Sequence, residues 1–145
     1  MDARPDNSVA RPEQPVILVV DDDDIVRGFM LHVLEAAGYF VLIAVDGAQG
    51  LEVARRFAAR IDLMVTDVIM PRMDGLALRE QILRERPELK VLLISGTFER
   101  EVRSLPFLRK PFQADDFRSR VRELLMDPGA GSAPRTNKPA TKAAN

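Results

Sequence analysis

Short apolar runs alternate with amphipathic stretches over most of the chain. A run that is apolar at consecutive positions and rich in β-branched residues is typical of a strand buried on both faces of a parallel sheet. The first run, Val16–Val20, consists of five aliphatic residues, three of them valine. Comparable runs predict four further strands, over residues 40–45, 61–66, 90–94 and 106–108.

The stretches between these strands have the spacing of amphipathic helices. Asp46 and Gln49 form a capping-box pattern that opens a helix expected to extend to about residue 59. Further helices are predicted over residues 75–86 and 113–126. After the first strand, apolar residues recur at steps of four and predict the buried face of the first helix, which ends before Gly38: Ile25, Phe29, Val33 and Ala37.

The crossover between the fourth and fifth predicted strands is short. Only eleven residues separate Ser95 from Phe107. A strand-helix-strand crossover needs at least about 10 to 12 residues. The helix in this crossover is therefore expected to have at most about two turns, over residues 99–104.

Five strands, each followed by a helix, predict an α/β fold with a doubly wound parallel sheet and right-handed crossovers. In such sheets, functional residues lie at the carboxyl ends of the strands. The sequence places five polar side chains at these ends, and we expect them to meet at one edge of the sheet: Asp21 and Asp22 after the first strand, Asp67 after the third, Ser95 after the fourth and Lys110 just past the fifth.

The composition excludes several classes of function. The 145 residues contain 21 Lys and Arg against 22 Asp and Glu, and this balance does not favour nucleic acid or an anionic membrane as the main partner. Cysteine is absent, which excludes disulfides, thiolate metal sites and a thiol nucleophile. The single histidine, His32, excludes a His-rich metal site and is expected to be a partly exposed structural residue. Without a long apolar run, a cytoplasmic location is expected.

Two flanks enclose one predicted domain, over residues 16–127. Residues 1–15 contain three prolines and are expected to be a flexible segment. Residues 128–145 contain no large apolar side chain, and their only charges are Arg135, Lys138 and Lys142. Such a segment cannot bury enough apolar surface to offset its ordering entropy, so we expect a disordered basic tail.

Carboxylates crowded at one strand edge repel each other unless a cation neutralises them. Mg²⁺ prefers oxygen ligands and is suited to an open loop with two or three carboxylates. Without a histidine or cysteine nearby, the nucleophile consistent with this edge is a carboxylate, and attack by a carboxylate on phosphorus gives an aspartyl phosphate. The pattern therefore favours phosphoryl transfer, with Lys110 and Ser95 stabilising phosphoryl oxygens.

Residues 16–126 resemble the receiver domain of two-component response regulators. The first strand with its acidic pair matches at residues 16–22, the phosphoacceptor loop at 65–75, the switch hydroxyl at 92–96 and the lysine motif at 110–112. The resemblance implies a flavodoxin-like sheet with strand order 2-1-3-4-5. It also implies that a histidine kinase or histidine phosphotransfer protein phosphorylates Asp67, and that a cis bond joins Lys110 to Pro111.

The resemblance further assigns roles to individual residues. Mg²⁺ is expected to bind to Asp22, Asp67 and the main-chain carbonyl of Ile69, with Asp21 acting through water. Ser95 and Phe107 are expected to form the conformational switch. No DNA-binding or catalytic domain is predicted after residue 127, so a stand-alone receiver that acts on an unidentified downstream protein is expected.

Two alternative functions remain open from the sequence. A haloacid-dehalogenase-like phosphohydrolase also begins with an apolar strand and two spaced aspartates, here Asp22 and Asp24, but it requires a later acidic pair at a strand end. The available pair, Asp115 and Asp116, is predicted at the start of the last helix. The other alternative is a receiver-like module that binds partners without phosphorylation.

Overall fold

The computed structural model describes residues 14–97 and 104–128. Strands and helices alternate through these residues. The strands are β1 (Val16–Val20), β2 (Phe40–Ala44), β3 (Leu63–Asp67), β4 (Lys90–Ser95) and β5 (Phe107–Arg109). The helices are α1 (Asp24–Ala36), α2 (Gly47–Arg56), α3 (Gly75–Glu85) and α4 (Ala114–Met126).

The five strands form one parallel sheet in the order β2-β1-β3-β4-β5. This order confirms the predicted doubly wound α/β fold. In the register of the sheet, Val20 of β1 lies opposite Thr66 of β3, and Asp67 lies opposite Ile94 of β4. The first, third and fourth strands therefore end at nearly the same level, which brings the residues after them to one edge.

Helices cover both faces of the sheet. Alternate residues of β1 point to opposite sides: Val16, Leu18 and Val20 pack with α2 and α3, whereas Ile17 and Val19 pack with α1 and α4. All five residues of β1 are buried. Burial on both faces explains why β1 is apolar at every position rather than at every second one.

The predicted buried face of α1 is wrong except at Val33, because Ile25, Phe29 and Ala37 are all exposed. Ile25 is 83% exposed and Phe29 is 39% exposed, and the buried residues of the helix are Met30, Val33 and Leu34. A step of four residues advances about 400° around a helix, so a row of such steps drifts about 40° each time. A row that faces the core at Val33 has therefore turned away from the core at Ile25.

The prediction that β2 is buried on both faces is also wrong. β2 lies at the edge of the sheet, where Ile43 is 44% exposed and Val45, just past the strand, is 41% exposed. β1 has the predicted bounds, and the bounds predicted for the other elements differ from the observed ones by at most three residues. The largest of these differences are at α2, which ends at Arg56 rather than near residue 59, and at β3, which begins at Leu63 rather than at residue 61.

Three predictions concern residues that the structure does not describe. The short helix was predicted over residues 99–104, and the structure does not describe residues 98–103. Of the predicted helix only Ser104 is described, and it lies in a turn. The flexible N-terminal segment and the basic tail fall almost entirely on residues 1–13 and 129–145. Among the described residues, no helix has the length and apolar character needed to cross a membrane.

Candidate functional site

The carboxyl ends of β1 and β3 bring three carboxylates together. Asp21 and Asp22 directly follow β1, and Asp67 is the last residue of β3. One carboxylate oxygen from each of the three lies within 4.8 Å of the others. Asp21 and Asp67 are buried, whereas Asp22 is exposed, so the cluster opens to solvent on the side of Asp22.

Hydrogen bonds hold Asp21 in place, but within the described residues only one of its two carboxylate oxygens accepts one. Its Oδ1 accepts a hydrogen bond from the Asp23 main-chain N–H at 2.8 Å, and its main-chain carbonyl accepts one from Arg27 Nη1 at 2.7 Å. Its Oδ2 is buried and accepts no hydrogen bond from the residues that the structure describes, although the Lys110 ammonium lies 3.5 Å away. Burial raises the pKa of Asp21, and the nearby Asp67 carboxylate adds to this rise, although the Asp23 N–H opposes it.

Asp67 occupies the centre of the cluster. Its carboxylate accepts a hydrogen bond from Lys110 Nζ at 3.1 Å and one from the Ile69 main-chain N–H. Burial nevertheless dominates and raises the pKa of Asp67. The Asp67 carboxylate therefore accepts few hydrogen bonds for a buried group, and its oxygens can accept further bonds from a cation or a hydrogen-bond donor.

Lys110 supplies a positive charge to two of the carboxylates. It follows β5, and its main-chain N–H donates to the Ser95 carbonyl at 2.8 Å. Its Nζ lies 3.1 Å from Asp67 Oδ2 and 3.5 Å from Asp21 Oδ2. Burial alone favours the neutral amine, but the hydrogen bond to Asp67 and the charge of Asp21 outweigh burial and raise the pKa of Lys110. The predicted cis bond between Lys110 and Pro111 is present.

The remaining predicted site residues lie on neighbouring elements. Ser95 ends β4 and is fully buried, and its Oγ accepts a hydrogen bond from the Thr97 main-chain N–H at 3.2 Å. Phe107 begins β5, is half-buried and packs against the core that α2 and α3 cover. Ile69 lies two residues after Asp67 with its side chain 59% exposed. Asp21, Asp22, Asp67, Ser95 and Lys110 thus lie near one edge of the sheet, whereas Phe107 lies at the start of β5, opposite Leu93 of β4. The roles of these residues stay predictions.

The donor set is suited to a hard divalent cation. Three carboxylates converge, and one of their oxygens, Asp21 Oδ2, is buried and accepts no hydrogen bond from residues 14–97 or 104–128. The Lys110 ammonium, 3.5 Å away, replaces the lost hydration of this oxygen only in part, and a buried oxygen without a hydrogen bond is costly in a site that binds nothing. All three side chains offer oxygen, and the exposed side of Asp22 leaves room for water, as Mg²⁺ requires.

The sequence reasoning missed two features of the loop after Asp67. Gly75 lies so close to the Asp67 main chain that a Cβ added to it would be 2.1 Å from the Asp67 carbonyl oxygen. The sequence predicted only that a helix begins at residue 75. In addition, Arg72 Nη2 forms an ion pair with Asp46 Oδ2 at 2.7 Å. These two residues belong to different elements, and nothing in the sequence pairs them.

The amino-acid sequence is similar to those of known proteins. The sequence model of the family described as "Response regulator receiver domain" matches residues 17–122. The sensor kinase CckA of Brucella abortus is 34% identical over 116 residues, which cover 75% of this chain but only 12% of that kinase. The response regulator receiver protein CpdR of the same organism is 32% identical over 117 residues, covering 76% of this chain and 96% of CpdR.

Solved structures agree with the sequence comparison. The crystal structure of the receiver domain from the hybrid histidine kinase CckA is 37% identical and superposes with a TM-score of 0.69. That match covers 77% of this chain and 99% of the CckA receiver chain. The similarity therefore extends over nearly the whole of one relative's receiver domain.

Proposed function

Because the chain belongs to the response regulator receiver domain family, whose members act in two-component signalling, we propose that Asp67 is its phosphoacceptor. The observation that carries the proposal is the convergence of Asp21, Asp22, Asp67 and Lys110 at one edge of the sheet. The proposed donor is a phosphohistidine on a histidine kinase or histidine phosphotransfer protein. Phosphorylation is proposed to change the binding of a downstream protein.

In the proposed reaction, a carboxylate oxygen of Asp67 attacks the phosphorus of the donor. An O–P bond forms to Asp67 as the N–P bond to the donor histidine breaks, and the imidazole leaves with the electron pair of that bond. Mg²⁺, held by Asp22, Asp67 and the Ile69 carbonyl with Asp21 acting through water, would neutralise the carboxylates and the phosphoryl oxygens. Asp21 Oδ2, which is buried and accepts no hydrogen bond within the described part of the chain, supports this assignment.

Lys110 and Ser95 are proposed to stabilise the transferred group. Lys110 Nζ is 3.1 Å from Asp67 Oδ2, so it can donate to a phosphoryl oxygen with a small change of its side chain. Ser95 is proposed to turn its hydroxyl from Thr97 toward another phosphoryl oxygen. Phe107 would then move into the space beside Ser95, which makes these two residues the proposed switch.

We expect a small-molecule phosphodonor to phosphorylate the protein at Asp67 and only when Mg²⁺ is present. Intact mass spectrometry after incubation with acetyl phosphate measures the adduct. Asp67→Asn and addition of a chelator should each abolish it. Asp115→Asn, which removes an exposed carboxylate from the first turn of α4, is the matched control and should be labelled like the wild type. An adduct that persists in Asp67→Asn contradicts the assignment.

The phosphohydrolase alternative makes the opposite prediction in the same experiment. Sustained phosphate release from phosphomonoesters, abolished by Asp22→Asn but not by Asp67→Asn, would identify it. The positions of Asp115 and Asp116 in the first turn of α4 count against this alternative, because it requires that pair at a strand end. The phosphorylation-independent module would give no adduct in a folded protein.

The aspartyl phosphate is expected to be long-lived. Its hydrolysis needs a water held in line with the O–P bond, and a polar side chain two residues after Asp67 or two after Ser95 can orient such a water. These positions hold Ile69, which offers no hydrogen bond, and Thr97, whose hydroxyl is a poor base. Decay of the phosphorylated protein should become roughly tenfold faster in the double variant Ile69→Asn with Thr97→Glu.

The decay experiment uses protein from which the phosphodonor has been removed. Ile43→Asn changes an exposed isoleucine on β2 and is the matched control, with an expected decay rate equal to that of the wild type. If the double variant also decays at the wild-type rate, water positioning at residues 69 and 97 does not determine the lifetime.

A further inference from the structure

Arg72 has a backbone conformation that is rare for a residue with a side chain. Its φ of 69° is the only positive φ at a non-glycine position in the described part of the chain. The left-handed conformation brings Cβ too close to the following carbonyl oxygen, and it persists only where the surroundings hold it. Arg72 lies in the loop of residues 68–74, which joins Asp67 to α3.

The contact that holds Arg72 is an ion pair with the N-cap of α2. Arg72 Nη2 donates to Asp46 Oδ2 at 2.7 Å, and the other oxygen, Asp46 Oδ1, accepts from the Gln49 main-chain N–H at 2.8 Å. Gln49 Oε1 in turn accepts from the Val45 N–H at 2.7 Å. The Asp46 side chain is only 12% exposed and is held by its cap bond to Gln49, so Arg72, whose own side chain is 70% exposed, pairs with a fixed carboxylate.

A second contact brings the same loop against the same helix. A Cβ added at Gly47, the first residue of α2, would lie 2.7 Å from the Met73 carbonyl oxygen and 2.9 Å from Met73 Cβ. The main chain of the loop at Met73 therefore rests directly on the first turn of α2. Two consecutive loop residues, Arg72 and Met73, are thus held by two consecutive residues of the helix start, Asp46 and Gly47.

We propose that Arg72 is a positioning residue for the metal and phosphoryl site, because its ion pair with Asp46 holds the loop of residues 68–74 in place. The loop begins directly after Asp67 and contains Ile69, whose carbonyl is the expected main-chain ligand of Mg²⁺. A ligand on a short loop binds well only if the loop is fixed before the ion arrives. This inference rests on the proposed function, but its first test requires neither metal nor phosphate.

The first test measures hydrogen exchange of loop amides in metal-free protein. The Gly75 N–H donates to the Val68 carbonyl at 2.7 Å and the Met73 N–H to the Pro71 carbonyl at 2.8 Å, so both report on closure of the loop. Asp46→Asn keeps a cap oxygen for Gln49 but leaves Arg72 without its carboxylate. Arg72→Gly removes the guanidinium and suits the positive φ. In both variants these two amides should exchange roughly threefold faster or more.

The second test measures Mg²⁺ affinity by isothermal titration. The dissociation constant should rise roughly tenfold in Asp46→Asn and in Arg72→Gly, as expected when the support of a metal ligand is lost. The double variant should be no worse than either single variant, because both changes break one ion pair. Glu85→Gln is the matched control. It breaks the ion pair between Arg55 of α2 and Glu85 of α3, which connects α2 to α3 rather than to the loop.

The outcomes separate this inference from the proposed function. Wild-type exchange of the Gly75 and Met73 amides in both variants overturns the positioning role of Arg72, whatever the phosphorylation result. An unchanged Mg²⁺ affinity in both variants also overturns it. If wild-type protein binds no Mg²⁺, the proposed function fails, and the exchange experiment still decides whether Arg72 holds the loop. Faster exchange with weaker Mg²⁺ binding, both absent from Glu85→Gln, supports the inference.

Discussion

Gly75→Ala is expected to lower the free energy of unfolding by about 2 to 3 kcal/mol and to slow phosphorylation of Asp67 strongly. A Cβ at residue 75 would lie 2.1 Å from the Asp67 carbonyl oxygen, 2.9 Å from its carbonyl carbon and 3.0 Å from Val68 Cα. All three of these atoms belong to the main chain, so no side-chain rotation relieves the overlap. The end of β3 or the start of α3 must shift, and either shift alters the packing around Asp67, the proposed phosphoacceptor.

Denaturant unfolding and acetyl phosphate labelling of the same preparation measure both effects of Gly75→Ala. Gly28→Ala is the matched control, because Gly28 lies inside α1 and, apart from its chain neighbours and the main chain of its own helix, no described atom lies within 4 Å of an added Cβ. Alanine is the better helix former, so this control should raise the free energy of unfolding by about 0.5 to 1 kcal/mol. If Gly75→Ala unfolds and is labelled like the wild type, the close approach of α3 to Asp67 is not a constraint on the site.

The parallel sheet could be predicted because each strand carries its own local signal. β1 has the predicted bounds, Val16–Val20, whereas the strand order, which is also confirmed, was implied only by the resemblance to receiver domains. A continuous apolar run is characteristic of a strand covered on both faces, and helix signals between such runs leave a parallel sheet as the simple arrangement. The site followed from the same rule, since residues directly after parallel strands must share an edge.

The errors arose where burial depends on neighbours that the local pattern does not encode. β2 is as apolar as β1, but its place at the edge of the sheet leaves Ile43 exposed. The buried face of α1 was predicted from residues spaced four apart. Successive residues at this spacing are rotated by about 40° around the helix axis, so Ile25 faces solvent rather than the core.

The contacts that support the site could not be predicted at all. The pair of Arg72 and Asp46 joins residues that are 26 positions apart. Its existence depends on how the loop after β3 crosses the start of α2, which is a property of the packed molecule.

The acidic cluster is expected to lower the stability of the metal-free protein. Burial raises the pKa of Asp21 and of Asp67 above the ordinary value for a carboxyl. At pH values between the ordinary carboxyl pKa and the raised pKa, the folded protein binds more protons than the unfolded chain does. Stability therefore falls as the pH rises through this window, and the full loss is present above the pKa of the folded state.

Asp21→Asn should accordingly stabilise the metal-free protein at pH 7, by about 1 to 2 kcal/mol. The amide removes the buried charge, its oxygen can still accept from the Asp23 N–H, and Lys110 retains Asp67 at 3.1 Å. Denaturant unfolding in chelator, repeated at several pH values, measures the difference from the wild type. That difference should shrink as the pH falls and vanish below the ordinary pKa of a carboxyl.

Two further measurements test whether the effect on stability is specific to the carboxylate cluster or follows from removing any negative charge. Glu88→Gln removes one exposed negative charge near the amino end of β4, at the opposite edge of the sheet, and should change stability little at any pH. Adding Mg²⁺ should stabilise the wild type by mass action and Asp21→Asn much less, because the variant has lost one of the converging carboxylates. If Asp21→Asn is less stable than the wild type in chelator at pH 7, the buried carboxylate is compensated within the fold, and the orphaned Oδ2 no longer argues for a cation.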